Sequence, residues 1–484
     1  MNNGFQGKQI FIVLMTVLAL ASCVTQKYQQ PGMTPEGQLY RDTTSTIATV
    51  VTDTASAGDT SSIASLPYTQ LFTDTVLQSL IAEGLRENLD LKTAVQRINE
   101  AQANLLQSRA AFLPSLDGNA SVTRNKQSIA ALNLPPDFVG AFPLSTTTYQ
   151  AGLSTSWEAD IWGKLRSAKR IAMANLLASD AARRAVQTQL VASIATYYYQ
   201  LLSLDQQLNV TEQTLKNRIQ DVATMKVLKE NAVVTGAAVV QSEANRYAAE
   251  VTIPSLKRSI RETENALSVL LARSPGAIRR TSLAEQVTYI DLQTGIPSLL
   301  LKNRPDIQQA EFTFRAAFEN TNLARTYFYP QLTLTADGGF STIQIKNLFN
   351  RSIFYNIIGG LTQPIFAKGQ NKARLRIAQA QQQEAYYTYQ QSLLNAGVEV
   401  SNALYAYQTA LETQTSRKHQ IEALEKAVNY TKQLLEYSSA TNYTDVLTSE
   451  QALLAAQLSN VDDRLQQLQA VVNLYQALGG GWQL

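Results

Sequence analysis

One cysteine and one histidine are all that 484 residues supply of the side chains that most often bind metals or act as nucleophilic partners. A single thiol excludes a disulfide framework and a thiolate metal site. A single imidazole, His419, removes most hydrolytic and zinc mechanisms, and it reads as a polar residue on an exposed helix face. Charged residues are scarce, at 16%, and nearly balanced at a formal +3, so nothing points to nucleic acid or an anionic surface. Phosphate loops, nucleotide fingerprints, paired metal ligands and nucleophile elbows are missing too. What remains is rich in Ala, Gln, Leu and Tyr, as in helical assemblies. It offers no catalytic site, no metal site and no cofactor. The length suits two or three ordinary domains or one elongated body.

The lone cysteine is informative because of its place. Lys8 precedes an apolar run from Ile10 to Leu20, followed by Ala21-Ser22-Cys23. The run is short for a bilayer span and has the layout of a secretory signal peptide. Leu20-Ala21-Ser22-Cys23 resembles a bacterial lipobox, which implies that residues 1–22 are removed and Cys23 is lipidated. Val24, rather than aspartate, follows; by resemblance to lipoprotein sorting this favours the outer membrane. Residues 23–66, rich in Thr, Ser, Ala and Gln, read as a flexible tether to outer-membrane lipid.

Beyond the tether, alternation of polar and apolar residues predicts strands at 115–122, 149–161, 331–341 and 353–363. Tyr149, Ala151, Leu153, Trp157, Ala159 and Ile161 share one face, and Gln150, Ser154, Ser156, Glu158 and Asp160 the other. Strands of this length cross a membrane when tilted, which takes about 9–11 residues each. Four of them cannot close a barrel, and an open edge cannot exist in lipid. Either they do not span, or several chains share one wall.

The other signal is helical. A pattern from Thr75 to Phe112 stops at Pro114. From Leu165 to about Lys229 there is neither proline nor glycine, which predicts a helix of about 100 Å. Ala178, Ala181, Ala185, Thr188, Ala192, Ala195, Tyr199 and Leu202 give it a coiled-coil seam. Consecutive Tyr197, Tyr198 and Tyr199 face different ways on it, so they read as packing rather than a stacking platform. The chain reverses at Val234-Thr235-Gly236, returns to about Ala272, breaks at Ser274-Pro275-Gly276 and is irregular to Ser298.

The pattern then restarts at Asn303-Arg304-Pro305-Asp306, with a cap residue, a first-turn proline and an acid at the positive dipole end. Residues 90–116 laid over 306–332 are identical at eight of 27 positions, among them Arg109/Arg325, Phe112/Phe328 and Pro114/Pro330. This reads as an internal duplication, with repeats at 67–297 and 298–484. The second long helix runs from Gln370 to about Tyr437, a turn follows at Ala440-Thr441-Asn442, and a last helix reaches Leu478. Each long helix is about twice its return helix. The expected body therefore has strand hairpins at one end, helical turns at the other and an irregular belt between. Copies arranged round an axis would gather Tyr437, Asn442, Tyr443 and Asp445 into a polar and aromatic ring. As plain turn and cap residues they would need no such role.

Several motifs together carry a family resemblance. They are Leu20-Ala21-Ser22-Cys23, Trp157-Glu158-Ala159-Asp160-Ile161-Trp162-Gly163-Lys164, Arg304-Pro305-Asp306-Ile307, Tyr327-Phe328-Tyr329-Pro330 and Asn473-Leu474-Tyr475-Gln476-Ala477-Leu478-Gly479-Gly480-Gly481-Trp482. The chain resembles the TolC-like outer-membrane factors, specifically their lipoprotein branch. That resemblance implies a mainly α homotrimer in which four strands per chain make a twelve-stranded membrane β-barrel continued by a coiled-coil α-barrel. It implies a passive exit duct fed by a periplasmic adaptor and an inner-membrane resistance-nodulation-division pump. The adaptor would meet the turns at Thr235, Gly236, Ala440 and Thr441, and the gate would lie at Tyr437, Asn442, Tyr443 and Asp445. Relatives often carry Gly and Asp where this chain has Ala440 and Asn442, so the ring is acidic through Asp445 or only polar. A structural coiled-coil envelope lipoprotein and a type I protein-secretion duct are the competing readings.

Overall fold

The computed structural model describes residues 25–32, 62–128, 130, 144–287, 302–437 and 443–483. Cys23, Ala440, Thr441 and Asn442 lie outside them. The described chain is mostly helical with one small sheet. Its helices are α1 (Tyr68–Leu71), α2 (Thr75–Glu87), α3 (Leu89–Ala110), α4 (Lys164–Glu230), α5 (Gly236–Leu270), α6 (Pro305–Thr326), α7 (Gln370–Tyr437) and α8 (Tyr443–Ala477). Its strands are β1 (Ser115–Lys126), β2 (Ser145–Ala159), β3 (Gln331–Thr342) and β4 (Ile353–Thr362). Two compact units emerge: one comprises residues 1–31, 98–178 and 311–387, the other 32–97, 179–310 and 388–484.

The first unit holds the sheet, antiparallel throughout in the order β1-β2-β3-β4. Opposite residues share a face, so the registers Trp157↔Leu334 and Leu332↔Leu361 align the apolar positions of neighbouring strands. Leu116, Val122, Leu153, Trp157, Leu334, Tyr355 and Leu361 line that face and are all exposed. Asp117, Ser154, Glu158, Thr333, Thr335 and Asp337 alternate with them. A sheet with one apolar and one polar face, whose apolar side chains stay this exposed among the described residues, is not the core of a soluble domain.

Where β2 meets β3, Gly152 opposes Gly339, and a Cβ on Gly339 would run into the Ala151 carbonyl and the Gly152 Cα. Below the sheet, Trp162 stacks on Tyr329 with ring centroids 4.9 Å apart, and its Nε1 donates to the Pro330 carbonyl at 2.7 Å. The turn into α4 needs Gly163 at φ +81°. Asp160 then accepts from the Leu165 and Arg166 amides, which start the helix.

One expectation changes here. Residues 25–32, expected to be part of a free tether, lie along α6. Gln26 N–H donates to Asn322 Oδ1 at 3.0 Å, and Asn322 Nδ2 donates back to the Gln26 carbonyl at 2.9 Å. The Tyr28 ring meets Phe318 edge-on at 5.6 Å and also contacts Phe314, while Gln30 Nε2 donates to Glu311. A polar segment thus satisfies its backbone on a buried asparagine and packs one aromatic ring. Thr25 reaches the Gly163 turn.

The second unit holds the main core. Ala181, Ala192, Ala195, Tyr199 and Leu202 on α4, and Ala396, Val400 and Ala403 on α7, are buried as the seam spacing requires. Small residues at these positions let the helix backbones approach closely. Tyr198 is fully buried and donates to Asp74 Oδ2 at 2.6 Å. The expected single helix from Thr75 to Phe112 is interrupted at Asn88, which is buried. Its Oδ1 caps Leu91 N–H at 2.9 Å, and its Nδ2 donates to the Leu270 carbonyl at 2.9 Å. A capping side chain held from both sides outcompetes helix continuation.

The irregular stretch after α5 is anchored by Arg280. Its guanidinium pairs with Asp205 and with Glu264, both at 2.5 Å, and these bonds hold it above the ordinary arginine range despite burial. Arg304 likewise reaches Asp306, Glu399 and the Ala477 carbonyl, tying the start of α6 to the end of α8.

Candidate functional site

The ends of α4, α5, α7 and α8 nearest their turns form one compact cluster. Met225, Val239, Tyr443, Val446 and Leu447 make an apolar plug. Beside it, Lys432 Nζ lies 2.5 Å from Glu450 Oε1 and 3.5 Å from Asp221 Oδ1, so one ammonium joins α7 to α8 and to α4. Arg218 Nη1 donates to the Asn245 carbonyl at 2.5 Å, and Gln451 Nε2 donates to Asn245 Oδ1 at 3.2 Å, linking α4, α5 and α8. Lys226 pairs with Glu243 at 2.9 Å across the first turn, on a solvated face.

The electrostatics of this layer follow from burial. Desolvation, then the Glu450 carboxylate, raise the Asp221 carboxyl above its ordinary value, and Lys432 only partly offsets them. Asp221 Oδ2 is buried without a hydrogen-bond donor. Burial pulls Lys432 down, but its bonds to Glu450 and Asp221 outweigh that and hold it above the ordinary lysine range. The site is a cation between two carboxylates. It binds helices together and has no nucleophile or proton relay.

Of the gate residues expected from sequence, Asn442 lies outside the described residues. Tyr437, 79% exposed, sits at the end of α7, and Asp445 is exposed in the first turn of α8. Tyr443 is only 7% exposed and packs into the plug, where burial raises its phenol. That is a packing position inside one chain. Thr235 caps α5 through its backbone without a side-chain bond, and a Cβ on Gly236 would meet only Lys229 Cε, at 3.8 Å. The tight backbone of this turn falls instead on Ala232, at φ +59°.

The Lys432, Asp221 and Glu450 cluster escaped sequence reasoning. Its signal was faint: Arg218, Asp221, Val222 and Met225 continue the three-four spacing of an apolar face with charges inserted. Among the described residues, no group of His, Cys, Asp and Glu is arranged to hold a metal ion, and no helix is long and apolar enough to cross a membrane.

A two-faced open sheet combined with four long helices defines a class, and comparison with known proteins gives the class its name. The family model described as outer membrane efflux protein matches residues 80–273 and 296–480. The chain belongs to the outer membrane efflux protein family, a family of transport channels rather than enzymes. It is 30% identical over 475 residues to the cation efflux system protein CusC of Escherichia coli O6:H1, covering 96% of this chain and 97% of CusC. It is 28% identical over 477 residues to the probable outer membrane lipoprotein SilC of Salmonella typhimurium, covering 97% of this chain and 98% of SilC. A crystal structure of CusC superposes with a TM-score of 0.81 at 26% identity, covering 94% of this chain and 99% of that one. Channels of this family work with periplasmic adaptors and inner-membrane pumps.

Proposed function

We propose that three copies of this chain form a passive exit duct in the outer membrane. It carries small toxic molecules from a periplasmic adaptor and a resistance-nodulation-division pump to the exterior. The observation that carries this reading is the open four-stranded sheet, apolar on one face and polar on the other, with β1 and β4 as unpaired edges among the described residues. In lipid such a sheet must close, and three copies of four strands give a twelve-stranded barrel with an apolar outside and a polar lumen.

An internal duplication underlies the arrangement. α3 and α6 are both 22 residues long, β1 and β3 both 12, and α5 and α8 both 35. The two stretches matched by the family model fall one in each repeat. Lipidation of Cys23 fits the segment beginning at Thr25, which lies against the Gly163 turn just below β2. The acyl chains would then enter the membrane beside the sheet.

Adaptor contact falls on the turns at Thr235, Gly236, Ala440 and Thr441. The gate is assigned to Asn442 and Asp445 with exposed Tyr437, and Tyr443 supports it from the plug. Rings of polar and acidic side chains close a pore mouth and favour cations. Energy comes from the pump, since the duct has no chemistry of its own. In planar bilayers the purified protein should show discrete conductance, and Asp445→Ala with Asn442→Ala should raise it. A protein that conducts nothing in either form would end the duct reading; equal conductance would move the gate elsewhere.

A further inference from the structure

The helical layer of the first unit has two surfaces, and the docked segment 25–32 marks one of them. Glu311, Phe318 and Asn322 of α6 hold that segment. Asn320 and Ala324 each stand two residues from Asn322, which is about 160° round the helix axis. They line a groove of about 440 Å³ on the opposite surface, between α6 and the start of α7. Thr25 follows Cys23 by two residues, so the segment's surface is the outer one in the proposed duct. The groove then faces the lumen.

The floor of the groove is apolar and its rim carries a cation. Leu323, Ala324, Ala373, Ile377 and Ala378 supply the floor, and Ile377 is exposed. At the rim Arg374 lies over the Tyr327 ring, with its Cζ 3.9 Å from the centroid. Asn371 fixes the pair: its Nδ2 donates to the Tyr327 carbonyl at 2.8 Å, and its Oδ1 accepts from Arg374 Nη1 at 3.3 Å. Among the described residues no carboxylate pairs with Arg374. Lys164, 5.7 Å from the same ring, is taken by Glu158 at 2.8 Å. A guanidinium stacked on an aromatic ring keeps N–H groups in its plane, where they match the oxygens of a carboxylate or sulfonate. Helix formation does not account for the pair. The helices α3 and α6 start 216 positions apart and α4 and α7 start 206 apart, so in the proposed repeat Tyr327 and Arg374 correspond to Ala111 and Ala168.

We propose that this groove binds an amphipathic organic anion inside the duct, its apolar body on Leu323 and Ile377 and its acidic group on Arg374. The luminal placement rests on the duct reading; the ligand chemistry rests on the groove alone. A site of this volume holds a molecule of drug-like size. Cargo of this class would pause on the wall just below the strands.

Full-length lipoprotein in nanodiscs of zwitterionic lipid can be titrated with anilinonaphthalene sulfonate, an aromatic body with one acidic group. Its fluorescence should show saturable binding beyond that of empty discs, and Arg374→Gln should weaken that binding about tenfold. Ala373→Phe, which fills the groove from an exposed position, should weaken it as much. Arg376→Gln, which removes the neighbouring exposed arginine of α7, should leave it unchanged. Wild-type affinity in both Arg374→Gln and Ala373→Phe would overturn the site. In planar bilayers the same compound should lower the wild-type current saturably, and lower it less in Arg374→Gln. Binding that leaves the current untouched would overturn the luminal placement while the duct reading stood, and displacement by phosphatidylglycerol in the disc would then assign the groove to lipid headgroups. Protein that never conducts would overturn the duct reading and the luminal placement together, and the nanodisc titration would still decide the ligand.

Discussion

Asp74 shows how much one side chain can hold together. Its Oδ1 caps α2 through the Val76 and Leu77 amides, and its Oδ2 accepts from Tyr198, Thr281 and Gln286. Burial alone would raise this carboxyl, yet the hydrogen bonds outweigh it and hold it below its ordinary 3.8. Burial and the neighbouring Asp74 push Tyr198 up to about 12, so it remains a donor at any physiological pH. Asp74→Ala removes the cap and takes one acceptor from Tyr198, Thr281 and Gln286, of which Gln286 keeps its bonds to Thr281 and Ser282. It should cost about 2–4 kcal/mol in chemical denaturation. Because the folded value is depressed, the carboxylate's contribution is present above pH 3.8 and lost as pH falls through the folded value. The gap between wild type and variant should therefore close only in strong acid; a gap already closing at pH 6 would show that Asp74 is not its source. The partners of its Oδ2 were not legible in the sequence, because they lie 124 to 212 positions away.

Among the elements, the length of α4 was legible, because a helix without proline or glycine has no local reason to stop, and α7 runs as long through Gly397. The strands were legible from alternation. The break at Asn88 was not, since it depends on the distant Leu270 carbonyl. Nor was the docking of residues 25–32, whose composition resembles a linker while Tyr28 and Gln26 find partners on α6. The candidate site was legible only as turns; the ion cluster beside them depends on the pairing of helices.

That cluster supports a prediction about how the helix pairs hold together. Lys432→Met leaves Asp221 and Glu450 facing each other without their cation. Because the lysine is 42% exposed, solvent screens part of the loss, and about 1–3 kcal/mol is expected. Adding Asp221→Asn removes one of the repelling charges and should restore part of the stability. The raised Lys432 means that its contribution is full below pH 10.5 and lost as pH rises through the higher folded value. Asp221, also raised, takes up its proton on acidification before an ordinary aspartate does, which relieves the same repulsion. If the double variant proves no more stable than Lys432→Met in thermal unfolding, the two carboxylates do not repel as described.

At the scale of the whole molecule, the proposed duct is a conduit that needs little specificity of its own. Relatives of similar length are named for cation efflux, as CusC is, and for toluene efflux, as TtgI of Pseudomonas putida is. Relatives of this one family thus carry names for chemically unlike cargoes, and under the proposed duct reading selection would fall to the pump and adaptor. Deleting the gene should raise susceptibility to several unrelated small toxic compounds, and Asp445→Ala with Asn442→Ala, which leaves the wall intact, should restore resistance to pumped compounds. A deletion strain unchanged across a broad panel of compounds would remove efflux as the role.

The contact of Gly152 with Gly339 has a consequence for the wall itself. Backbones meet there without side chains between them, and glycines of this kind mark sharp bends in a strand wall. At the neighbouring seams Gly118 faces Leu153 and Gly339 faces Phe354, so a side chain remains on one strand and favours gentler curvature. A wall built from three copies would fold tightly three times and run flatter between, giving a lumen with three corners. The widest cargo would then be set by the distance from a corner to the opposite flat side, and bulk added at Gly339 would narrow that distance before it touched any gate.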